Sequence, residues 1–226
     1  MTRRGSAADR PSERPIRVDM VADLACPWCY IGLVRLDRAR EMRPHCAVKL
    51  RWHPFLLNPQ LPPEGMERGA YLRAKFGGTA AARRVYARIE EAGRADGIDF
   101  AFERIARTPN TVDAQRLILF AAQRALDEAV IRRLFRALFE EGDDIGAPEP
   151  LIRLGGEAGL DTAELRDLFA GDQYVTEVLR AHRSAEAIGI RGVPVQIMAR
   201  EHVITGAQPP EVLAGLLDLA ASEQRE

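Results

Sequence analysis

The chain has 226 residues, 46% of them hydrophobic and 29% charged, with 32 Lys and Arg against 33 Asp and Glu for a formal net charge of -1. That balance suits one globular unit with room for a sizeable insertion. It lacks the basic excess of a nucleic-acid binder, and no apolar run approaches the roughly 18 residues that would cross a membrane. Three cysteines are too few for a disulfide framework in a chain this long, so a closely spaced pair among them points to redox or metal chemistry.

Residues 1–15 are rich in Arg, Ser, Pro and Asp and carry no apolar stretch behind their positive charges. They read as a disordered tail rather than a secretion signal, and the expected location is cytoplasmic. Ile16 to Asp23 follows as a strand: Ile16, Val18, Met20 and Ala22 alternate with Arg17, Asp19 and Val21. Cys26-Pro27-Trp28-Cys29 comes next. Tyr30, Leu33, Val34 and Leu36 then recur at helical spacing to about Arg43, with Pro44 after the stop. A second strand is expected at Val48–Phe55, and Leu56 to Pro63 reads as an extended loop.

From there the pattern is helical. Tyr71–Phe76, Ala80–Asp96, Val112–Leu126, Glu128–Glu141, Pro150–Ala158, Thr162–Ala170 and Tyr174–Ala187 carry apolar residues at i, i+3 and i+4, with no strand expected among them. Asp161 and Glu164 have the spacing of a capping box. After Gly189 the pattern returns to strands at Val193–Met198 and His202–Ile204. Pro209-Pro210 then opens a last helix through Val212, Leu213, Leu216 and Leu217. Neither end of the chain holds enough strands for a stable sheet, so the two share one. The expected fold is α/β, thioredoxin-like with an inserted all-helical domain. Residues 16–63 and 188–226 form the sheet domain, and 64–187 the insertion.

The dithiol carries the chemistry. A cysteine at a helix start lies near unpaired N–H groups and the positive end of the helix dipole, both of which favour a thiolate. A free cysteine, with pKa about 8.5, is only a few per cent thiolate near pH 7. Cys26 is therefore the expected nucleophile. Cys29, one turn later, is placed to attack a mixed disulfide and release the partner. Pro27 falls at the first helical position, which tolerates a missing N–H. Gly192-Val193-Pro194 heads a later strand, where the proline marks a strand start or a cis turn.

Cys26-Pro27-Trp28-Cys29-Tyr30-Ile31-Gly32 together with Gly192-Val193-Pro194 resembles the DsbA-family thioredoxin-fold oxidoreductases. Trp52-x-Pro54-Phe55-x-Leu57-Asn58-Pro59, Asn110-Thr111-x-Asp113-Ala114 and Gly206-Ala207-Gln208-Pro209 are similar to segments of its FrnE-like branch. The resemblance spans Val18 to Leu219. It implies Cys26 as nucleophile, Cys29 as resolving cysteine and Pro194 as a cis proline, with Pro27, Trp28, Val193 and Pro194 against the substrate and Asn110 and Gln208 near the site. The implied partner is a disulfide-bearing protein or a small-molecule thiol, glutathione among them, with no metal, no other cofactor, no nucleic acid and no membrane. Two departures stand out. Val195-Gln196 brings a polar side chain after the proline, and Trp28 occupies the position where DsbA has a thiolate-stabilising histidine.

Alternatives remain at this level. Cys26 and Cys29 could be half of a zinc site completed by His45, Cys46 or His53. The hydroxychromene-carboxylate isomerases and kappa-class glutathione transferases share the architecture but have serine at the Cys26 position. A non-catalytic peptide-binding module is the third. Among single residues, Cys46 reads as a small buried side chain and His53 as a strand-end packing histidine. His182 is expected on a solvated face with Arg180 and Arg183. Asp23 reads as an exposed strand-end acid, the commoner case, with a buried proton acceptor near the dithiol as its alternative. Arg83-Arg84 and Arg132-Arg133 read as solvated helix faces.

Overall fold

A computed structural model describes residues 14–224; the expected tail falls almost wholly on residues 1–13, outside the described residues. Strand β1 (Ile16–Ala22) is central in a four-stranded sheet of order β2-β1-β5-β6, with β2 at Val48–Pro54, β5 at Val195–Met198 and β6 at His202–Thr205. β2 runs parallel to β1, with Met20 opposite Trp52. β5 runs antiparallel on the other side, with Met20 opposite Gln196. The alternation in β1 decides its faces: Ile16, Val18, Met20 and Ala22 are fully buried. They face α1 (Pro27–Met42) and α9 (Pro210–Glu223), while Arg17, Asp19 and Val21 point to the opposite face.

Between β2 and β5 lie α2 (Arg68–Phe76), α3 (Thr79–Ala95), α4 (Val112–Ala122), α5 (Asp127–Arg136), α6 (Pro148–Glu157), α7 (Thr162–Ala170) and α8 (Val175–Ala187). This block is not purely helical. Met66–Glu67 (β3) pairs antiparallel with Arg107–Thr108 (β4), a short ladder that ties the two ends of the α2–α3 hairpin together. Two residues a side carry no periodicity, so a pattern reading passes over them. The helix expected over Glu128–Glu141 also divides. An α-helix ends at Arg136 and a π-turn covers Ala137–Glu141, with Gly142 at φ 83 closing it. Asp161 caps α7 as its spacing suggested, accepting from the N–H groups of Ala163 and Glu164. No helix among the described residues is long and apolar enough to cross a membrane.

Two of the contacts that join the helical block to the sheet domain meet at Trp52. One is an aromatic stack: Tyr30 of α1 lies parallel to Phe135 at 5.1 Å, and Trp52 of β2 meets the same Phe135 edge-on at 6.0 Å. The other is Gln115 of α4, fully buried. Its Oε1 accepts from Trp52 Nε1 at 2.7 Å, and its Nε2 donates to the carbonyls of Ala22 and Phe55, each at 3.2 Å. Arg116, next to it, is also buried. It donates to the carbonyls of Leu168, Gly171 and Gln173, closing the free C-terminal end of α7.

Gln115→Leu keeps the volume but leaves the Trp52 N–H and a share of two carbonyls buried without partners. The expected loss is about 2–4 kcal/mol of stability, read from urea unfolding midpoints.

Candidate active site

β1 ends at Ala22, and the turn that follows carries Asp23. The Asp23 carboxylate accepts from Ala25 N at 3.0 Å and from Leu57 N at 2.6 Å, and also takes the Thr111 hydroxyl. Its backbone carbonyl accepts from Cys26 N at 3.1 Å. These bonds set the chain entering α1. Cys26 is the N-cap, extended at φ -99 and ψ 110, and its carbonyl accepts from Cys29 N at 3.0 Å and from Tyr30 N at 3.4 Å. Pro27 is the first helical residue, as its missing N–H allows.

Both cysteines are free thiols and form a hydrogen-bonded pair. Cys26 is 5% exposed and Cys29 fully buried. Burial, the hydrogen bond with Cys26 and the repulsion of its charge push the Cys29 thiol well above its ordinary value. Asp23 is only 1% exposed, and burial raises its carboxyl as well, against the pull of its backbone and Thr111 donors and of the Lys75 ammonium. The sequence reading of Asp23 as an exposed acid is thus corrected. Leu57 and Thr111, which cover it, come from distant segments that a strand-end pattern does not register.

The Val193–Pro194 peptide is cis, and the Cys26 Sγ lies 3.5 Å from the Val193 carbonyl, across 167 residues of sequence. Pro194 is buried and Val193 half-buried. The close approach of α1 to this loop depends on Gly32: a Cβ there would sit 3.2 Å from Pro194 Cγ. Gln196, the polar departure after the proline, is fully buried and donates to the Gly32 carbonyl at 3.2 Å. The structure therefore brings Cys26, Cys29, Pro27, Val193 and Pro194 together. Trp28 points outward and is 37% exposed, an apolar surface beside the thiols.

Other residues singled out by sequence make contacts of their own. Asn110 braces its loop by donating to the Leu61 carbonyl and accepting from Val112 N; Gln208 donates to the Thr205 carbonyl. His182 is buried, not solvated: its ring meets Phe55 edge-on at 4.9 Å, and its Nδ1 accepts from Leu56 N. Arg132 and Arg133 are paired rather than free, Arg132 with Asp37 and Glu128 and Arg133 with Glu141 and Glu157. The grouping behind the zinc alternative does not form. His45 and Cys46 gather with Asp218 of α9, and His53 turns to Asp19 on the sheet face that α8 packs against.

Sequence reasoning missed a cluster of cations and tyrosines on the α2–α3 hairpin, next to the Leu57–Asn58 segment that borders the site. The Arg68 guanidinium lies 5.0 Å from the Tyr86 ring centroid and 5.7 Å from that of Tyr71, and the Lys75 ammonium lies 5.2 Å from Tyr71. Burial raises the Tyr86 hydroxyl, and the Tyr71 hydroxyl donates to Asn58 Oδ1, on the residue after Leu57, whose N–H the Asp23 carboxyl holds.

Residues 17–218 match the model of a family described as the DSBA-like thioredoxin domain. The chain belongs to that family. A curated relative of this DSBA-like chain, the uncharacterized protein YwbO of Bacillus subtilis (strain 168), is 25% identical over 202 residues. The match covers 87% of this chain and 93% of the relative. Among solved structures, a probable DsbA oxidoreductase from Streptomyces coelicolor is 30% identical with a TM-score of 0.80, covering 92% of this chain and 91% of that one. The cytosolic disulfide reductase DsbM of Pseudomonas aeruginosa, solved with GSH, is 20% identical with a TM-score of 0.64, over 93% and 100% of the chains. A 2-hydroxychromene-2-carboxylate isomerase is 17% identical with a TM-score of 0.64, over 92% and 95%; at these identities the last two share the fold alone.

The raised Asp23 carboxyl has a signed consequence. The folded protein holds this proton more tightly than the unfolded chain does, so the group's contribution to stability falls as pH rises from the ordinary carboxylate value of 3.8 through the raised one. Asp23→Asn removes that loss. The melting temperature of the variant relative to the parent is expected to climb between pH 3.5 and pH 7.5, and a flat difference would contradict the assignment.

Proposed function

We propose that this chain is a dithiol oxidoreductase in which Cys26 attacks a substrate disulfide and Cys29 resolves the intermediate. The observation that carries the reading is the placement of the Cys26 sulfur at the head of α1, against the Val193 carbonyl, with Cys29 buried one turn behind it. The Cys26 thiolate forms a bond to one substrate sulfur, the substrate S–S bond breaks, and a thiolate leaves. Cys29, once deprotonated, attacks the Cys26 sulfur, forming the Cys26–Cys29 disulfide and expelling the second thiolate. The substrate gains two electrons and the enzyme loses two; the reverse sequence oxidises a dithiol.

The proton on Cys29 is the barrier to the second step, since burial holds it in place. Asp23, buried beside it with a raised carboxyl, is the proposed acceptor. The paired thiols favour redox chemistry over the isomerase alternative, which shares the architecture without the dithiol. The proposed setting is the cytoplasm, the compartment named for the Pseudomonas aeruginosa reductase.

Trapping separates the roles. Incubated with hydroxyethyl disulfide, Cys29→Ser is expected to accumulate a mixed disulfide on Cys26, and Cys26→Ser to form none, each read by intact mass. If the parent forms no Cys26–Cys29 disulfide under the same conditions, the reading fails.

A further inference from the structure

Arg68 opens α2 and Lys75 lies in its last turn. The Arg68 Nη1 donates to Thr108 Oγ1 at 3.0 Å, and its Nε is buried without a hydrogen-bond partner. Lys75 Nζ reaches Asn58 Oδ1 at 3.4 Å, the same oxygen that accepts from the Tyr71 hydroxyl at 3.1 Å. Among the described residues, neither cation has a carboxylate within ion-pair distance. This sets them apart from Arg124, Arg133 and Arg153, each paired at 2.5–2.9 Å. Glu67, the acid next to Arg68 in sequence, caps α2 through the N–H groups of Gly69 and Ala70 and lies 3.8 Å from Arg73 instead.

Two positive groups with tyrosine rings beside them and no carboxylate in contact, one of them with a buried Nε that has no hydrogen-bond partner, are a site short of an anion. They adjoin the turn that carries the dithiol: Asn58, whose Oδ1 meets both the Tyr71 hydroxyl and the Lys75 ammonium, follows Leu57, whose N–H is held by the Asp23 carboxyl three residues before Cys26. Access to the sulfur is narrow as well. Cys26 is 5% exposed, and the carbonyl of Val193 already occupies one side of it.

We infer that the substrate is a small disulfide bearing carboxylates, which pair with Arg68 and Lys75 while Tyr71 and Tyr86 flank the chain that joins carboxylate to sulfur. This rests on the oxidoreductase reading and names the substrate class for it. Arg68 and Lys75 are specificity residues on this account, acting before any bond is broken.

The test oxidises the reduced protein at low ionic strength with three probes: glutathione disulfide, which is anionic; hydroxyethyl disulfide, which is neutral; and cystamine, which is cationic. Loss of free thiol gives second-order rates. The parent is expected to react fastest with glutathione disulfide and slowest with cystamine. The ratio of the glutathione disulfide rate to the neutral rate should fall about tenfold in Arg68→Gln and in Lys75→Gln. Arg68→Lys should recover part of the ratio, and Lys75, exposed on α2, gives a variant with no core to disturb. Equal parent rates for all three probes, an unchanged ratio in both variants, or faster reaction with insulin than with glutathione disulfide would overturn the inference and leave the oxidoreductase standing. Failure of all four disulfides to oxidise Cys26 and Cys29 would remove both.

Discussion

The Ala22 carbonyl accepts two hydrogen bonds, one from Phe55 N at 3.0 Å and one from Gln115 Nε2 at 3.2 Å, and the turn to the dithiol starts at the next residue. Gln115 thereby holds the ends of two parallel strands in register from a helix that is not part of the sheet. The Asp23 carboxylate continues the same brace by gripping Leu57 N beyond β2. An exit angle fixed at both Ala22 and Asp23 determines where Cys26 caps α1. Each of these groups is buried, so a missing partner would leave a desolvated donor or acceptor rather than one turned to water. The geometry of the thiols is inherited from that satisfied set.

Charge in the site is distributed by depth. Beneath the nucleophile lie Cys29 and Asp23, two acids whose hold on a proton burial strengthens. On α2 lie two cations in contact with aromatic rings. If these cations receive the substrate as proposed, an electron pair arriving at Cys26 meets positive potential from α2 and, behind it, two groups whose proton affinity burial has raised. That gradient suits a sulfur that must accept and release negative charge in successive steps.

Much of this was legible in the sequence, and the part that was not has a common cause. β1 declared itself because one strand's alternation reports its own two faces, and Cys26 to Cys29 declared itself because four consecutive residues meet at a helix start. Val193-Pro194 was visible as a strand head. Asp23 and His182 were misread because their burial is made by Leu57, Thr111, Phe55 and Leu56, contributed by segments up to 126 residues away. Gln115 and Arg116 did leave a signal: two long polar residues followed by the apolar run Leu117 to Ala122 and preceded by Ala114 need internal partners. The α2–α3 cluster left none, because a cation over a tyrosine looks in sequence like any exposed helix face.

The distance in sequence between Cys26 and Val193 also sets an order of events during synthesis. The thiol leaves the ribosome 167 residues before the carbonyl that will lie against it. At roughly 5–20 residues per second that interval is on the order of ten to thirty seconds. Throughout it β1, α1 and β2 exist without β5, so the sheet has one half of its central pairing and the dithiol has no roof from the later loop. A nascent chain in this state presents an open pair of thiols, and the helical insertion between them and their cradle is what makes the delay long.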